Sequence, residues 1–252
     1  MAGVRLATWN ILSGRSPGTA GVDVEAFQDA VRSIDADVLA LQEVDRAQQR
    51  SHGLDLAALA AEAMGAVDHR FVPALVGHPD RWGPATGFEA PHVPTYGVSL
   101  LSRFPVTRWE AVRLPPAPGR VPHRTSGRLV PHLVRDEPRV AVVGQVAGPD
   151  ARLDVVATHL SFLRPWNARQ LLRLMTALRS RARPLVLTGD LNMGPRAAAR
   201  LTGLSTLATG ATYPAHAPVV QIDHLLGAGL WSAAGHAVHL PLSDHRALVV
   251  DL

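Results

Sequence analysis

The chain has 252 residues, 47% hydrophobic and 18% charged, the balance of a globular fold with room for a substantial core in one domain or two. It has no cysteine, which excludes disulfides and thiolate metal sites; Asp, Glu, Asn and His are left as ligands, an oxygen-rich set suited to Mg2+, Mn2+ or Ca2+. The 25 basic side chains, all arginine, against 21 acidic ones leave a net charge of +4, too mild to announce a nucleic-acid binder, although arginine forks suit phosphate oxygens.

The first residues run straight into a strand, without a charged segment followed by a long apolar one. No apolar run approaches the ~18 residues of a membrane span, so a cytoplasmic location is expected. Val4, Leu6 and Thr8 alternate with Arg5, Ala7 and Trp9 and predict a first strand ending at Asn10. Asp23 is a good N-cap, Glu25 sits in the favourable first turn, and Val24, Phe27, Val31 and Ile34 mark the apolar face of a helix. A buried strand at 38–41 runs into Gln42 and Glu43, and the Ala/Leu-rich segment 54–64 reads as helical. Strands follow at 67–75, 96–101 and 106–114, with a long Gly-, Pro- and His-rich loop at 76–95 between the first two. A second long loop, 115–138, is rich in Pro, Arg and His; loops of this length bind something or lack fixed structure.

Strands at 139–146 and 153–158 precede a helix at 166–179. Its Leu171, Leu174, Met175 and Leu178 fall at i, i+3, i+4 and i+7, with Arg169 and Arg173 on a solvated face. The apolar run 184–187 reads as a strand buried on both faces that breaks into Gly189, Asp190, Leu191 and Asn192. Further strands are expected at 219–226, 231–240 and 246–252. No repeat, low-complexity tract or linker divides the chain, so a single domain over residues 1–252, α+β or layered αββα, is expected.

Polar residues gather where these strands end, the places at which a rigid scaffold presents functional side chains. Asn10 closes the first strand, Glu43 and His159 follow apolar runs, Asp223 lies within VVQIDHLL, and Asp244 and His245 precede the last strand. Singly, each has an ordinary reading: a turn residue, an arginine partner, a core histidine, a turn cap. In extended geometry residues two apart point to the same side. Asp190 and Asn192 would then project a carboxylate and an amide together, a pair suited to a water, a metal or a phosphate oxygen.

Six segments in this order, ATWN (7–10), LQEV (41–44), ATHL (157–160), TGDLN (188–192), IDHLL (222–226) and SDHRAL (243–248), resemble the endonuclease/exonuclease/phosphatase superfamily. YGVSLLSRFPV (96–106) and EPRVAVV (137–143) also match segments of its small hydrolases, so the resemblance covers essentially the whole chain. The group includes deoxyribonuclease I, AP endonucleases, neutral sphingomyelinases, inositol-polyphosphate 5-phosphatases and deadenylases. The resemblance implies a four-layer αββα sandwich: two mixed β-sheets packed face to face, helices outside, active site at one edge. It implies Mg2+- or Mn2+-dependent hydrolysis of a phosphate ester.

By the same resemblance Glu43 binds the divalent metal, with Asn10 and Asp244 close by; the cation keeps waters that leave room for a phosphate oxygen and neutralises the transition state. Asp190 orients or deprotonates the attacking water, and Asn192 holds the phosphate. His245 contacts phosphate or transfers a proton, while Asp223 accepts a hydrogen bond from its ring, fixing the tautomer and raising its pKa. His159 donates to a phosphoryl oxygen or to the leaving group. Arg139 and Glu137 are further substrate-binding candidates, though Glu–Arg pairs are also common on surfaces. Asp190 and His245 are expected on loops rather than in the core, and which group is the general base stays open.

Departures narrow the branch. AP endonucleases carry Tyr-x-Pro-Asn where this chain has His159, Leu160, Ser161 and Phe162, and Arg-x-Asp-Tyr where it has Gln221, Ile222, Asp223 and His224. The Pro-Trp-x-x-Asp-His signature of 5-phosphatases is missing as well. Specificity is assigned to the two long loops, which carry His78, Arg81, Trp82, Phe88, Glu89 and His92, then Arg120, His123, Arg124, Arg128, His132 and Arg135. Arginines and histidines there suit a polyanion and aromatics suit stacking on a base or sugar, unless they are simply solvated. Every matched position holds a competent residue, which favours an enzyme over an inactive binding module. The expected enzyme is a phosphodiesterase for a small-molecule or lipid-head-group phosphate ester, with a DNA or RNA nuclease of the same fold as the alternative.

Overall fold

A computed structural model describes residues 3–123, 132–181, 183–230 and 235–252. The chain begins with β1 (Arg5–Asn10), α1 (Val24–Ile34), β2 (Val38–Arg46), α2 (Leu56–Met64), β3 (Asp68–Val76) and the short β4 (Gly83–Pro84). It continues through β5 (Thr95–Ser102), β6 (Val106–Leu114), β7 (Arg120–His123), β8 (His132–Arg135), β9 (Arg139–Ala147) and β10 (Arg152–His159). Then come α3 (Trp166–Ala177), β11 (Leu185–Asp190), α4 (Pro195–Thr202), β12 (Ser205–Thr206), β13 (Asp223–Ala228), β14 (Gly235–Val238) and β15 (Ala247–Asp251). Side-chain caps start the first two helices: Asp23 accepts from the Ala26 N–H at 3.0 Å and Asp55 from the Ala58 N–H at 3.0 Å.

A seven-stranded sheet runs in the order β14-β15-β1-β2-β5-β3-β4, with β1 parallel to β2 and antiparallel to β15. A six-stranded sheet runs β12-β13-β11-β10-β9-β6, with β10 and β11 parallel. β7 and β8 pair as a separate two-stranded ribbon.

Strand alternation sorts the apolar residues into three packed interfaces. On β1, Ala7 and Trp9 face α1 and α2, and Trp9 stacks on Phe27 with ring centroids 6.3 Å apart. Leu6 turns the other way, meeting Val38, Ala40 and Leu100 of its own sheet and Val142, Val155 and Val186 of the second. The outer face of the second sheet, with Val143, Val156 and Leu187, is covered by Leu171 and Leu174 of α3 and Ala198 of α4. The layers are therefore α, β, β, α, as the resemblance implies. Fully burying each large aliphatic side chain contributes roughly 1.5–3 kcal/mol, and a one-residue slip would turn a whole strand face to the wrong layer.

Five local expectations need correction. The loop at 76–95 contains β4, and the loop at 115–138 contains the β7–β8 ribbon, whose Pro, Arg and His residues mask the strand signal. Arg124 and Arg128 lie outside the described residues. α4 was not anticipated: Pro195 opens it after Gly194, and proline suits the first turn of a helix, where its missing N–H costs nothing. The strand expected at 219–226 begins only at Asp223, and of 231–240 the first four residues lie outside the described residues while 235–238 form β14. Among the described residues no helix is long and apolar enough to cross a membrane.

Candidate active site

At one edge of the sandwich the inter-sheet positions turn from apolar to polar. Leu6 and Thr8 lead to Asn10 on β1, Val155 and Ala157 to His159 on β10, and Val186 and Thr188 to Asp190 on β11; β13 opens with Asp223 two residues before Leu225. A side-chain period of two carries each core face directly into the site. β2 departs from this rule. Val38, Ala40 and Gln42 hold the inward positions, so Glu43 would face the helices. An extra residue between Leu41 and Val44 in the pairing with β5, with a φ of 58° at Glu43, turns it inward beside Asn10. Val44 then takes the helix-facing place. Gly97 lies across from this bulge, and β3 shifts register against the same glycine between Pro73 and Leu75. A Cβ on Gly97 would collide with the Val72 carbonyl oxygen.

Asn10 is the hub of the polar network. Its Nδ2 lies 3.2 Å from Glu43 Oε1 and 3.2 Å from Asp190 Oδ2, and its Oδ1 accepts from the Leu12 N–H at 3.2 Å. Ser243 Oγ donates to the Asn10 carbonyl at 2.6 Å and accepts from the His245 N–H at 3.1 Å, while Trp9 Nε1 donates to the His245 carbonyl at 3.3 Å. The turn carrying Asp244 and His245 is thereby fastened to the end of β1. His245 Nδ1 and Asp223 Oδ2 are 2.9 Å apart, and His245 Nε2 lies 3.9 Å from Asp190 Oδ2. His159 Nε2 is 3.5 Å from the same Asp190 oxygen. Arg139 Nη1 is 3.2 Å from His159 Nδ1, and its Nη2 is 3.2 Å from Glu137 Oε2.

Asn192 corrects the extended geometry expected for it. Its φ is 51°, its N–H donates to Asp190 Oδ1 at 2.9 Å, and its Nδ2 donates to the Leu160 carbonyl at 3.0 Å. A left-handed turn, not strand alternation, brings the two side chains together. Asp190 and His245 are also not loop residues in the exposed sense: they are 2% and 5% accessible, and Asp190 is the last residue of β11.

The charge states follow from these contacts. A guanidinium only donates, so His159 Nδ1 accepts from Arg139 and the proton of the neutral ring sits on Nε2. Burial, then the charges of Arg139 and His245, hold the His159 pKa well below 6.5. Burial pulls His245 down too, but Asp223, Asp190 and Asp244 outweigh it and raise the ring from 6.5 to about 10. Burial first and Asp223 second lift Asp190 from 3.8 to about 7, against His245, the Asn192 N–H and the Asn10 amide. Burial likewise raises Glu43, against Asn10, His245 and Arg139.

The donor set fits a hard divalent cation. Glu43 and Asp244 are half-buried carboxylates whose charges act on one another, and Asp223 Oδ1 is buried with no hydrogen-bond partner among the described residues. The ligand atoms of Asp190, Asp223 and His245 also form a group, all within 4.8 Å of one another. That group is the poorer metal site, because His245 is protonated and its Nδ1 is committed to Asp223. The fit rests instead on Glu43, with the Asn10 amide and Asp244 nearby. No hydrogen bond joins the Asp244 side chain to either among the described residues.

Several positioning residues escaped the sequence reading. Asn167 Nδ2 donates to the Asn192 carbonyl at 2.9 Å, and His224 Nε2 donates to the Met193 carbonyl at 2.8 Å. Asn167 carried a usable signal: it and Gln170 are polar residues on the buried stripe of Leu171 and Leu174. His224, hidden in an apolar strand, carried none. Tyr96 is a neutral phenol, held well above 10 by burial and then by Glu43.

Two mixed sheets face to face, helices outside, and acid, amide and imidazole groups at one edge define the deoxyribonuclease I-like class of fold. The chain belongs to the Endonuclease/Exonuclease/phosphatase family, whose pattern it matches over residues 7–245. No curated protein matches it by sequence. Among solved structures, an endonuclease/exonuclease/phosphatase from Beutenbergia cavernae DSM 12333 is similar at 24% identity and TM-score 0.71, over 100% of this chain and 71% of that one. A mannosyl-6-phosphatase from Bacteroides thetaiotaomicron VPI-5482 is similar at 12% identity and TM-score 0.65, over 99% of both chains. Sphingomyelinase C from Streptomyces griseocarneus is similar at 16% identity and TM-score 0.62, over 100% of this chain and 99% of that one.

Proposed function

We propose that this chain, acting as one domain, is a divalent-metal-dependent phosphoesterase, and specifically a phosphodiesterase for a small-molecule or lipid-head-group ester. The observation that carries this is the convergence, around Asp190, of a neutral Nε2–H on His159, a cationic His245 and the Asn192 backbone N–H. Donors on three sides of a carboxyl whose pKa is near 7 suit an anionic phosphoryl group with an attacking water at its side.

In this reading Asp190 takes the proton of the water as its oxygen bonds to phosphorus and the bond from phosphorus to the leaving oxygen breaks. His245, held by Asp223, keeps Nε2–H toward a non-bridging oxygen; at about 10 its pKa makes it a donor rather than a base. His159 Nε2–H and Asn192 Nδ2 supply further hydrogen bonds to phosphate, with Arg139 fixing the His159 tautomer. Glu43, assisted by Asn10 and Asp244, would hold Mg2+ or Mn2+, which when bound supplies positive charge for the phosphoryl and leaving oxygens.

A nuclease of the same fold is the second reading, favoured by the exposed arginines Arg81, on the loop at 76–95, and Arg120 and Arg135, on the β7–β8 ribbon. A screen with Mg2+ or Mn2+ separates the two. Bis(4-nitrophenyl) phosphate, a phosphomonoester, phospholipids, RNA and single- and double-stranded DNA would be compared. Turnover of small diesters or phospholipids that EDTA abolishes supports the first reading, preference for nucleic acid supports the second, and no turnover on any of them refutes both.

A further inference from the structure

A cleft of about 870 Å3 opens beside this site, between the loop at 79–84 and the β7–β8 ribbon. Its wall continues through Glu137 and Pro138 into Arg139, whose guanidinium holds His159. One side is apolar and rigid: Trp82 packs on Tyr96 with centroids 5.3 Å apart and carries the Arg50 guanidinium 5.6 Å from its ring centroid. Pro116, Pro118 and Pro138, which flank the β7–β8 ribbon, add further apolar lining. A pocket of this kind accepts a ring or short aliphatic body.

The other side is unbalanced in charge. Arg120 and Arg135 both line the cleft and stand directly opposite each other across the β7–β8 ribbon. Like charges at opposed positions destabilise a strand pair unless something neutralises them. Neither arginine has an ion-pair partner among the described residues. The acids of the cleft are occupied elsewhere: Asp136 accepts from the Ala117 N–H at 2.8 Å and from Ser161 Oγ at 2.6 Å, Glu137 pairs with Arg139, and Asp80 sits by Arg81 at 3.9 Å. Two exposed guanidinium forks facing one cleft form a receptor for a phosphate-like anion.

We infer that this cleft holds the part of the substrate remote from the hydrolysed phosphate, and that Arg120 and Arg135 bind a second phosphate carried there. This rests on the phosphoesterase reading above. The substrate class is then a compact phosphate ester with a second phosphate across a short ring or aliphatic spacer.

The test uses bis(4-nitrophenyl) phosphate as reporter and a ladder of α,ω-alkanediol bisphosphates of increasing length as competitors, each against the alkyl monophosphate of equal length. At the matching length the bisphosphate should compete at least about tenfold more strongly with the wild-type protein. The Arg120→Gln/Arg135→Gln double variant should lose most of that advantage. Arg152→Gln, an exposed charge at the opposite end of β10, should keep it. An equal advantage in the double variant, no advantage at any length in the wild type, or stronger competition by a short single-stranded oligonucleotide would overturn the inference. If the reporter is not turned over, the phosphoesterase reading is judged by the wider substrate screen, and calorimetric titration of the same ligand pairs into wild type and double variant decides the cleft independently.

Discussion

Asp190 and His245 share a buried space, with His245 Nε2 3.9 Å from Asp190 Oδ2, and both keep their protons to higher pH than in solution. A carboxyl raised to about 7 and an imidazolium raised to about 10 make kcat/KM rise as pH passes the first value and fall as it approaches the second. Asp190→Asn keeps the shape but cannot take the proton, so kcat should fall by roughly 10²–10⁴ with the circular dichroism spectrum unchanged. Asp223→Asn removes the largest charge that holds His245 up. The alkaline limb should then move from about 10 back toward 6.5, which a pH–rate profile reads directly. Stability follows the same sign. His245 has a raised folded pKa, so its contribution is complete below 6.5 and is lost as pH rises toward about 10. In EDTA the urea midpoint of the wild type should fall across that window, and the Asp223→Asn protein should show a shallower fall.

Glu43 owes its place to a bulge, and the bulge depends on a neighbouring strand having no Cβ at Gly97. Gly97→Ala should destabilise by about 1–3 kcal/mol, as overpacking generally does, and should weaken Mn2+ binding beyond that, because it displaces the strand that places Glu43, the proposed metal ligand. Urea unfolding and Mn2+ titration check the two parts separately; a variant that loses stability but binds Mn2+ normally would detach Glu43 from the metal. On α3, Asn167→Ala removes the bond to the Asn192 carbonyl. It should cost about 1 kcal/mol and lower turnover by loosening Asn192. Strand and helix identities at these places were readable from alternation and i, i+3, i+4 spacing. The bulge was not, because an inserted residue in β2 is defined only against its partner β5. The β7–β8 ribbon was missed for a related reason: a short pairing of proline-, arginine- and histidine-rich segments has no hydrophobic period.

Across the whole molecule, four carboxylates from four separate stretches, Glu43, Asp190, Asp223 and Asp244, are drawn to one edge of the sandwich, and a bound divalent cation would relieve their mutual repulsion. Saturating Mg2+ or Mn2+ should therefore raise the thermal midpoint, by about 4 kcal/mol of added stability at a thousandfold excess over Kd, and EDTA should reverse it. A Glu43→Gln protein should show a much smaller rise in a thermal-shift assay. The amino-acid order alone determined the strand and helix periods, the cysteine-free oxygen donor set and which polar residues close the strands, because those depend on side-chain period and chemistry near each position; the αββα layering was implied by the family resemblance and borne out by the fold. Only the tertiary structure decided that Asn10 bridges Glu43 and Asp190, that Arg139 sets the His159 tautomer, that Asn192 arrives through a left-handed turn, and that two arginines face one cleft. Each of these is a contact between residues far apart in the chain, or a backbone state that a packed neighbour imposes, and neither has a local signal to read.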